Sequence, residues 1–146
     1  MIFVNILLVF MAVVNYTHFS IYFFQLQEKY KLPQEKLQYL KKVGDKCAEE
    51  NKVDPEVFPK IAEGTLPSDD NHHKYLLCIF QKVSLVDGDG HLVVEKEGGY
   101  LGNHPLLAKF KEAMRKCNEG TKENPVETFL GVYRCYFATS PVLFEY

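Results

Sequence analysis

Four cysteines constrain the fold of this chain more than any other feature: Cys47, Cys78, Cys117 and Cys135. No two of them lie within four residues of each other, so the Cys-x2-Cys spacing of a structural zinc site is missing. None has an evident histidine partner nearby in the sequence, so no nucleophilic cysteine is predicted. In an oxidising compartment, an even number of cysteines in a small domain indicates disulfide bonds. Three pairings are possible, and the residues alone do not choose among them.

The first twenty residues predict such a compartment. They contain no Asp, Glu, Lys or Arg, and residues 2–14 form an apolar run broken only by Asn5. This length fits the hydrophobic part of a signal peptide and falls short of the roughly 20 apolar residues that a membrane span needs. No basic residue precedes the run, so the alternative is a retained helix that lies on the membrane. We predict a signal peptide over residues 1–20 with an inexact cleavage site, secretion to the extracellular fluid, and no stable membrane anchor.

The mature chain, residues 21–146, has the length of one domain. A net charge of -2 argues against a nucleic acid partner, because phosphate binding needs clustered positive charge. The sequence contains no Gly-x-Ser-x-Gly elbow, Walker loop or His-Glu-x-x-His, so no enzyme activity and no cofactor are predicted.

Two polar motifs resemble metal sites but fail on spacing. The Asp-Gly-Asp-Gly segment at 87–90 lacks the glycine and glutamate that an EF-hand places sixth and twelfth, since Leu92 and Gly98 occupy those positions. His72 and His73 are adjacent on a predicted helix, where side chains point about 100° apart and do not converge on one ion. The first segment is therefore interpreted as a turn, and no metal site is predicted.

Helix signals recur along the rest of the chain. A first helix begins at Pro33, and a second is capped by Asp54 and stopped by Gly64. A third, from about Asn71 to Val83, is apolar nearly all round and should be central. A short element follows at residues 92–94, closed by the glycines at 98–99, and further helices begin at Pro105 and Pro125. No β-branched alternation is evident from residue 32 onward, so the predicted fold class is an all-α, disulfide-stapled bundle.

The apolar surface exceeds what a simple bundle needs. The third and last helices are apolar on more than one face, and the tail after Pro141 reads Val-Leu-Phe-Glu-Tyr. A mature chain with this many large aromatic rings can enclose a dry cavity for a hydrophobic ligand. The alternative is that the same side chains fill the core completely.

Several segments together resemble the insect odorant-binding proteins, the pheromone and general odorant-binding family, from Leu32 to the C-terminus. These segments are Asp-Lys-Cys at 45–47, Val-Asp-Pro-Glu at 53–56, Lys-Tyr-Leu-Leu-Cys at 74–78, Val-Asp-Gly-Asp-Gly at 86–90, Ala-Met-Arg-Lys-Cys at 113–117 and Val-Tyr-Arg-Cys-Tyr at 132–136. The family has six cysteines. Here Lys74 stands where the second would be, and Val126 or a neighbour stands where the fifth would be. These two normally pair with each other, so the chain resembles the C-minus branch.

The resemblance implies a six-helix bundle that encloses an apolar ligand cavity. It also implies bridges between Cys47 and Cys78 and between Cys117 and Cys135. The implied cavity-lining residues are Leu40, Leu76, Phe80, Phe110, Met114, Phe129, Val132, Tyr133 and Tyr136. The hydroxyls of Tyr133 and Tyr136 would be the polar handles, and the tail at 142–144 could fold over the cavity.

The sequence therefore predicts a secreted carrier that binds a small hydrophobic ligand (an odorant, pheromone or lipid) and transports it through aqueous fluid. Release would follow movement of the tail or of a helix. The alternative is a secreted, non-enzymatic interaction protein that uses the same fold with a filled core. A homodimer and a contact with a chemoreceptor are compatible with the resemblance, and the sequence leaves both open.

Overall fold

The computed structural model describes residues 27–120 and 122–145, apart from the side chain of Ala62. The predicted signal peptide at 1–20 lies outside these residues. Within them the chain forms six α-helices and a short 3-10 turn (Pro55–Val57): α1 (Gln34–Asn51), α2 (Phe58–Ala62), α3 (Asp70–Lys82), α4 (Val94–Gly99), α5 (Leu107–Cys117) and α6 (Pro125–Thr139). The predicted helical bundle is confirmed. None of these helices is long and apolar enough to cross a membrane.

Short polar side chains fix where several of these helices begin. The Asp69 carboxylate accepts a hydrogen bond from the backbone N–H of His72 at 3.1 Å, and Asn124 accepts one from Glu127 at 3.0 Å. Each satisfies a backbone donor that has no partner inside the first turn of its helix. These local signals explain why the starts of α3 and α6 lie within a residue of the predicted ones.

Three predicted boundaries were wrong in detail. The second helix is split into the 3-10 turn and α2, because Pro59 in the first turn of α2 carries no N–H for a continuous helix. Helix α4 includes Gly98 and Gly99, which were expected to close the element before them. Helix α5 begins at Leu107, two residues after Pro105.

Helix α3 lies at the centre of the bundle, packed against α1 and α6. Its Tyr75, Leu76 and Ile79 are almost completely buried, as its apolar character predicted. One disulfide joins Cys47 on α1 to Cys78 on α3, and the other joins Cys117 on α5 to Cys135 on α6. By the chain-entropy estimate, each bridge destabilises the unfolded chain by about 3–4 kcal/mol.

The turn at residues 87–90 has a structural role. The Asp87 carboxylate accepts hydrogen bonds from the N–H groups of Asp89 and His91, both at 2.9 Å. Gly90 has a φ of 92°, and a Cβ at this position would lie 2.3 Å from the carbonyl oxygen of Pro125. The turn therefore packs against the first residue of α6, and only glycine allows this close approach.

A small parallel sheet joins the two ends of the described chain. Strand β1 (Glu28–Lys31) pairs with β2 (Val142–Glu145), with Glu28 opposite Val142 and Lys31 opposite Glu145. The sequence prediction missed both strands. Each has only four residues, which is too short for a convincing alternation, and the partners are more than a hundred residues apart in the sequence.

Candidate functional site

An apolar cavity lies inside the bundle, with a volume of about 40 Å³. Its walls come from α1, α2, α3, α4 and α6, from the segments beside them, and from the tail strand β2. The lining residues are Leu32, Leu40, Phe58, Ile61, Leu76, Ile79, Phe80, Val83, Leu85, Glu97, Tyr100, Tyr133, Tyr136, Phe137 and Phe144. All but Glu97 are aliphatic or aromatic, so the cavity offers a ligand an almost entirely hydrophobic surface.

Five of the nine residues implied by the resemblance line this cavity: Leu40, Leu76, Phe80, Tyr133 and Tyr136. The other four, Phe110, Met114, Phe129 and Val132, are buried in the core next to it. The Phe129 ring, for example, lies 5.1 Å from the ring of Phe80.

The tail explains why α5 contributes no lining side chain. Phe144 on β2 lines the cavity, and its ring centroid lies 6.0 Å from that of Phe110 on α5. Phe144 also makes edge-to-face contacts with Tyr30 and Tyr100. The tail therefore supplies an aromatic side chain on the side of the cavity where α5 was expected to supply Phe110.

The two tyrosine hydroxyls proposed as polar handles already bind within the protein. The Tyr133 hydroxyl donates a hydrogen bond to the carbonyl oxygen of Ile61 at 2.7 Å, and burial raises the pKa of this hydroxyl. The Tyr136 hydroxyl accepts one from the backbone N–H of Phe144 at 3.4 Å. A ligand that used either hydroxyl would have to compete with these contacts.

Glu97 is the polar lining residue that the sequence prediction missed. It lies on α4, only 3% of its surface is exposed, and its Oε2 atom has no hydrogen-bond partner within the described residues. Burial raises the pKa of this carboxyl to about 8. A signal was present, because Glu97 falls between Val94 and Leu101 at the spacing of one helix face, where an apolar residue is expected.

An open groove of about 1540 Å³ lies outside the cavity, beside α1, α2 and the sheet. Four aromatic side chains line both spaces: Phe58, Tyr133, Phe137 and Phe144. We call these four the aromatic wall. Because the wall borders both spaces, displacing its side chains would connect the cavity to the groove.

Two clusters that could suggest metal binding have other roles. Cys47, Glu50 and Cys78 lie close together, but both sulfurs are held in the disulfide and cannot act as thiolate ligands. The His72 ring contacts Asp69 at 2.5 Å, whereas the His73 ring contacts the Pro67 carbonyl oxygen at 2.8 Å. The two imidazoles therefore face different partners.

Comparison with known proteins identifies the family. The family model of the PBP/GOBP family matches residues 29–139, which is most of the chain. The protein belongs to the PBP/GOBP family. The match confirms the resemblance seen in the sequence. The two disulfides, in place of three, agree with the C-minus type. No curated protein sequence gives a significant match.

Solved structures of insect odorant-binding proteins share the fold. An odorant-binding protein of Locusta migratoria is 23% identical, with a TM-score of 0.60 over 77% of this chain and 87% of that one. Odorant Binding Protein 7 of Anopheles gambiae, solved with an azo compound, is 20% identical, with a TM-score of 0.60 over 77% and 98%. A fatty acid binding protein from the oral disk of the blowfly Phormia regina is 20% identical, with a TM-score of 0.61 over 73% and 93%. These structures show that the chain has the helical fold of the insect odorant-binding proteins.

Proposed function

We propose that this PBP/GOBP protein is a secreted carrier that takes a small hydrophobic ligand into the cavity and transports it through aqueous fluid. The observation that carries the proposal is an internal cavity whose lining residues are aliphatic or aromatic except for Glu97. Such a lining binds by removing the apolar surface of the ligand from water. The azo compound and the fatty acid named for two relatives support the same class of ligand. No described feature argues for a homodimer or a chemoreceptor contact, so neither belongs to the proposal.

The size of the cavity supports a mode of binding in which the lining moves. A buried water needs a cavity of roughly 10–15 Å³. The cavity of about 40 Å³ therefore holds only a few waters. A ligand the size of an odorant therefore enters only if lining side chains move. We infer that a ligand enters through the aromatic wall, because the wall borders both the cavity and the groove. Phe144 is the wall residue on the shortest element. Its strand has four residues, and within the described chain it pairs with one neighbour only.

The small volume also favours the second candidate, an interaction protein with a filled core. In that case the same side chains stabilise the fold, and the partner would bind outside. The two candidates differ in one measurable property, the uptake of an apolar molecule at a single internal site.

The deciding experiment uses oxidised, delipidated protein beginning near residue 21, titrated with the fluorescent probe N-phenyl-1-naphthylamine. Saturable binding of about one probe per protein, displaced selectively by odorants or fatty acids, supports the carrier. No saturable binding by a folded protein with both disulfides formed supports the interaction protein. N-terminal sequencing of the protein exported by cells tests the signal peptide separately.

Changes in the tail test the route of entry. Removing residues 142–146 deletes β2 together with the fully buried Val142, so this change can also affect folding. Phe144→Ala keeps the backbone pairing of the strand and removes one side chain from the wall. We expect it to strengthen probe binding several-fold by enlarging the cavity.

Leu143→Ala is the matched control, since Leu143 lies on the same strand and lines the groove but not the cavity. It should leave probe binding unchanged. Equal affinities for the wild type and both variants would show that the tail does not limit entry.

A further inference from the structure

The chemistry of one buried group goes beyond general hydrophobic binding. Glu97 carries the ionisable carboxyl of the cavity lining, and no Lys, Arg or His side chain is found among the described lining residues. Fully buried carboxyl groups are rare unless they are paired, because removal from water penalises the charge. The position of Glu97 therefore requires an explanation.

A hydrogen bond or ion pair within the protein does not explain the burial of Glu97. Buried polar atoms in native proteins nearly always have a hydrogen-bond partner, and each exception costs free energy. Within the described residues, two buried side-chain atoms have none: Oε2 of Glu97 and the hydroxyl of Tyr75. The Tyr75 hydroxyl lies beside Gly44, and Tyr75 borders the outer groove rather than the cavity. Among the residues that the structure describes, only Glu97 combines an unpartnered oxygen with a place in the cavity wall.

The cations that contact α4, or Tyr100 directly after it, are engaged elsewhere. Lys111 on α5 packs its side chain close to Gly98, but its ammonium pairs with Glu95. Arg115 on α5 pairs with Glu95 as well, at 2.9 Å. The ammonium of Lys36 on α1 lies over the ring of Tyr100, 5.8 Å from its centroid. No cation in the described chain is paired with Glu97.

The protonation state follows from this isolation. Burial raises the pKa of Glu97 to about 8, so the group is a neutral carboxylic acid at pH 7. A neutral carboxyl donates one hydrogen bond through its O–H and accepts others through its carbonyl oxygen. An ionised carboxylate could only accept.

We propose that Glu97 is the hydrogen-bonding anchor of the cavity and that it selects ligands with an apolar body and one uncharged oxygen head group: an alcohol, an aldehyde or a ketone. This rests on the proposed carrier function and specifies its ligand class. An alcohol can both give and take a hydrogen bond here, and a carbonyl can accept the carboxyl proton. A carboxylate head would be buried without a cation, and an amine would create a buried ion pair at a high desolvation cost.

The test is displacement of N-phenyl-1-naphthylamine by four ten-carbon compounds: decane, 1-decanol, decanal and decanoic acid. Wild-type protein at pH 7 should bind 1-decanol and decanal about tenfold more tightly than decane or decanoate, which is the effect of one well-made hydrogen bond. Glu97→Leu should remove this preference and leave decane binding unchanged or tighter. Glu97→Gln should retain it, because an amide also donates and accepts.

Glu95→Gln is the matched control, since this side chain lies on the same helix, is exposed, and pairs with α5 outside the cavity. It should keep the wild-type preference. A second readout is infrared difference spectroscopy. Wild type at pH 7 should show a protonated carboxyl band that shifts when 1-decanol binds and that is missing in Glu97→Gln.

The outcomes separate the two proposals. If no compound displaces the probe, or the probe itself does not bind, the carrier function fails. If all four compounds bind equally in wild type and Glu97→Leu, or if decanoate is preferred, the carrier stands and the role of Glu97 is overturned. A pH of 9.5 adds a further condition. Wild type should lose affinity for decanal there, because a carboxylate cannot donate to a carbonyl, whereas Glu97→Gln should keep it.

Discussion

Two glutamates on α4, only two residues apart, lie in opposite environments. Glu95 is largely exposed and forms ion pairs with Lys111 and Arg115 of α5, which lower the pKa of its carboxyl, the hydrogen bond from Lys111 being the largest cause. Glu97 is 3% exposed, lines the cavity, and has its pKa raised by burial. Residues two apart on a helix point in nearly opposite directions, so one short helix serves both the surface and the interior.

The contrast shows how to separate a structural polar group from one that is available to a ligand. Glu95 has two cationic partners, and the buried hydroxyl of Tyr133 has the Ile61 carbonyl. Both groups are explained by contacts within the protein. Glu97 is buried, and its Oε2 atom has no hydrogen-bond partner within the described residues. The free-energy cost of such an unpartnered atom is tolerated most readily where a bound molecule supplies the missing partner.

The largest predicted effect is on the pH dependence of stability, tested by Glu97→Gln. The pKa of Glu97 rises from 4.5 in the unfolded chain to about 8 in the folded protein. Its stabilising contribution is therefore complete below pH 4.5 and is lost as the pH rises through 8. At 1.36 kcal/mol per pH unit, the wild-type free energy of unfolding should fall by roughly 5 kcal/mol relative to the variant between pH 4 and pH 9.

Guanidinium unfolding of both proteins at several pH values measures this difference. Other titrating groups are common to the two proteins and cancel. Parallel stability profiles would mean that Glu97 is ionised and solvated in the folded protein, and the contrast with Glu95 would disappear.

A smaller effect is expected for the satisfied polar group. Tyr133→Phe removes the 2.7 Å hydrogen bond to the Ile61 carbonyl, which still accepts one from the backbone N–H of Gly64. Since no acceptor is left without a partner, the free energy of unfolding should fall by only about 1 kcal/mol. The loss should be the same at pH 5 and pH 8, as measured by guanidinium unfolding. A pH-dependent loss would show that Tyr133 is coupled to Glu97.

Local sequence signals predicted the helices well and the sheet not at all. Asp69 and Asn124 each accept a hydrogen bond from the backbone N–H three residues ahead, so α3 and α6 could be located from local sequence alone. The β1–β2 ladder joins Glu28 to Val142, and no local pattern in either four-residue strand identifies the other. Long-range pairing of such short segments is settled by the tertiary fold.

The sequence predicted which helix faces point inward, but not which of the inward side chains line the cavity. Leu40 and Leu76 point inward by periodicity, and both line the cavity. The same reasoning selects Phe110, which is also buried. The tail, however, places Phe144 beside Phe110, and Phe144 lines that side of the cavity in its place. Glu97 was overlooked because a charged residue is ordinarily assigned to the surface, although its position on the helix face is apolar.

The smallest predicted effect is that of Glu95→Gln, which tests whether the exposed glutamate of α4 contributes little to stability. Ion pairs lower the pKa of Glu95, so its stabilising contribution is present above pH 4.5 and is lost as the pH falls through the lowered value, the reverse of Glu97. Because the carboxylate is exposed, the decrease in melting temperature at pH 7 should be slight, and 1 M salt should abolish it. Thermal unfolding at pH 3 and pH 7, with and without salt, measures both properties. A large, salt-insensitive loss would contradict the exposed environment of Glu95. It would also mean that the side of α4 facing α5, rather than the Glu97 side, holds this helix against the bundle.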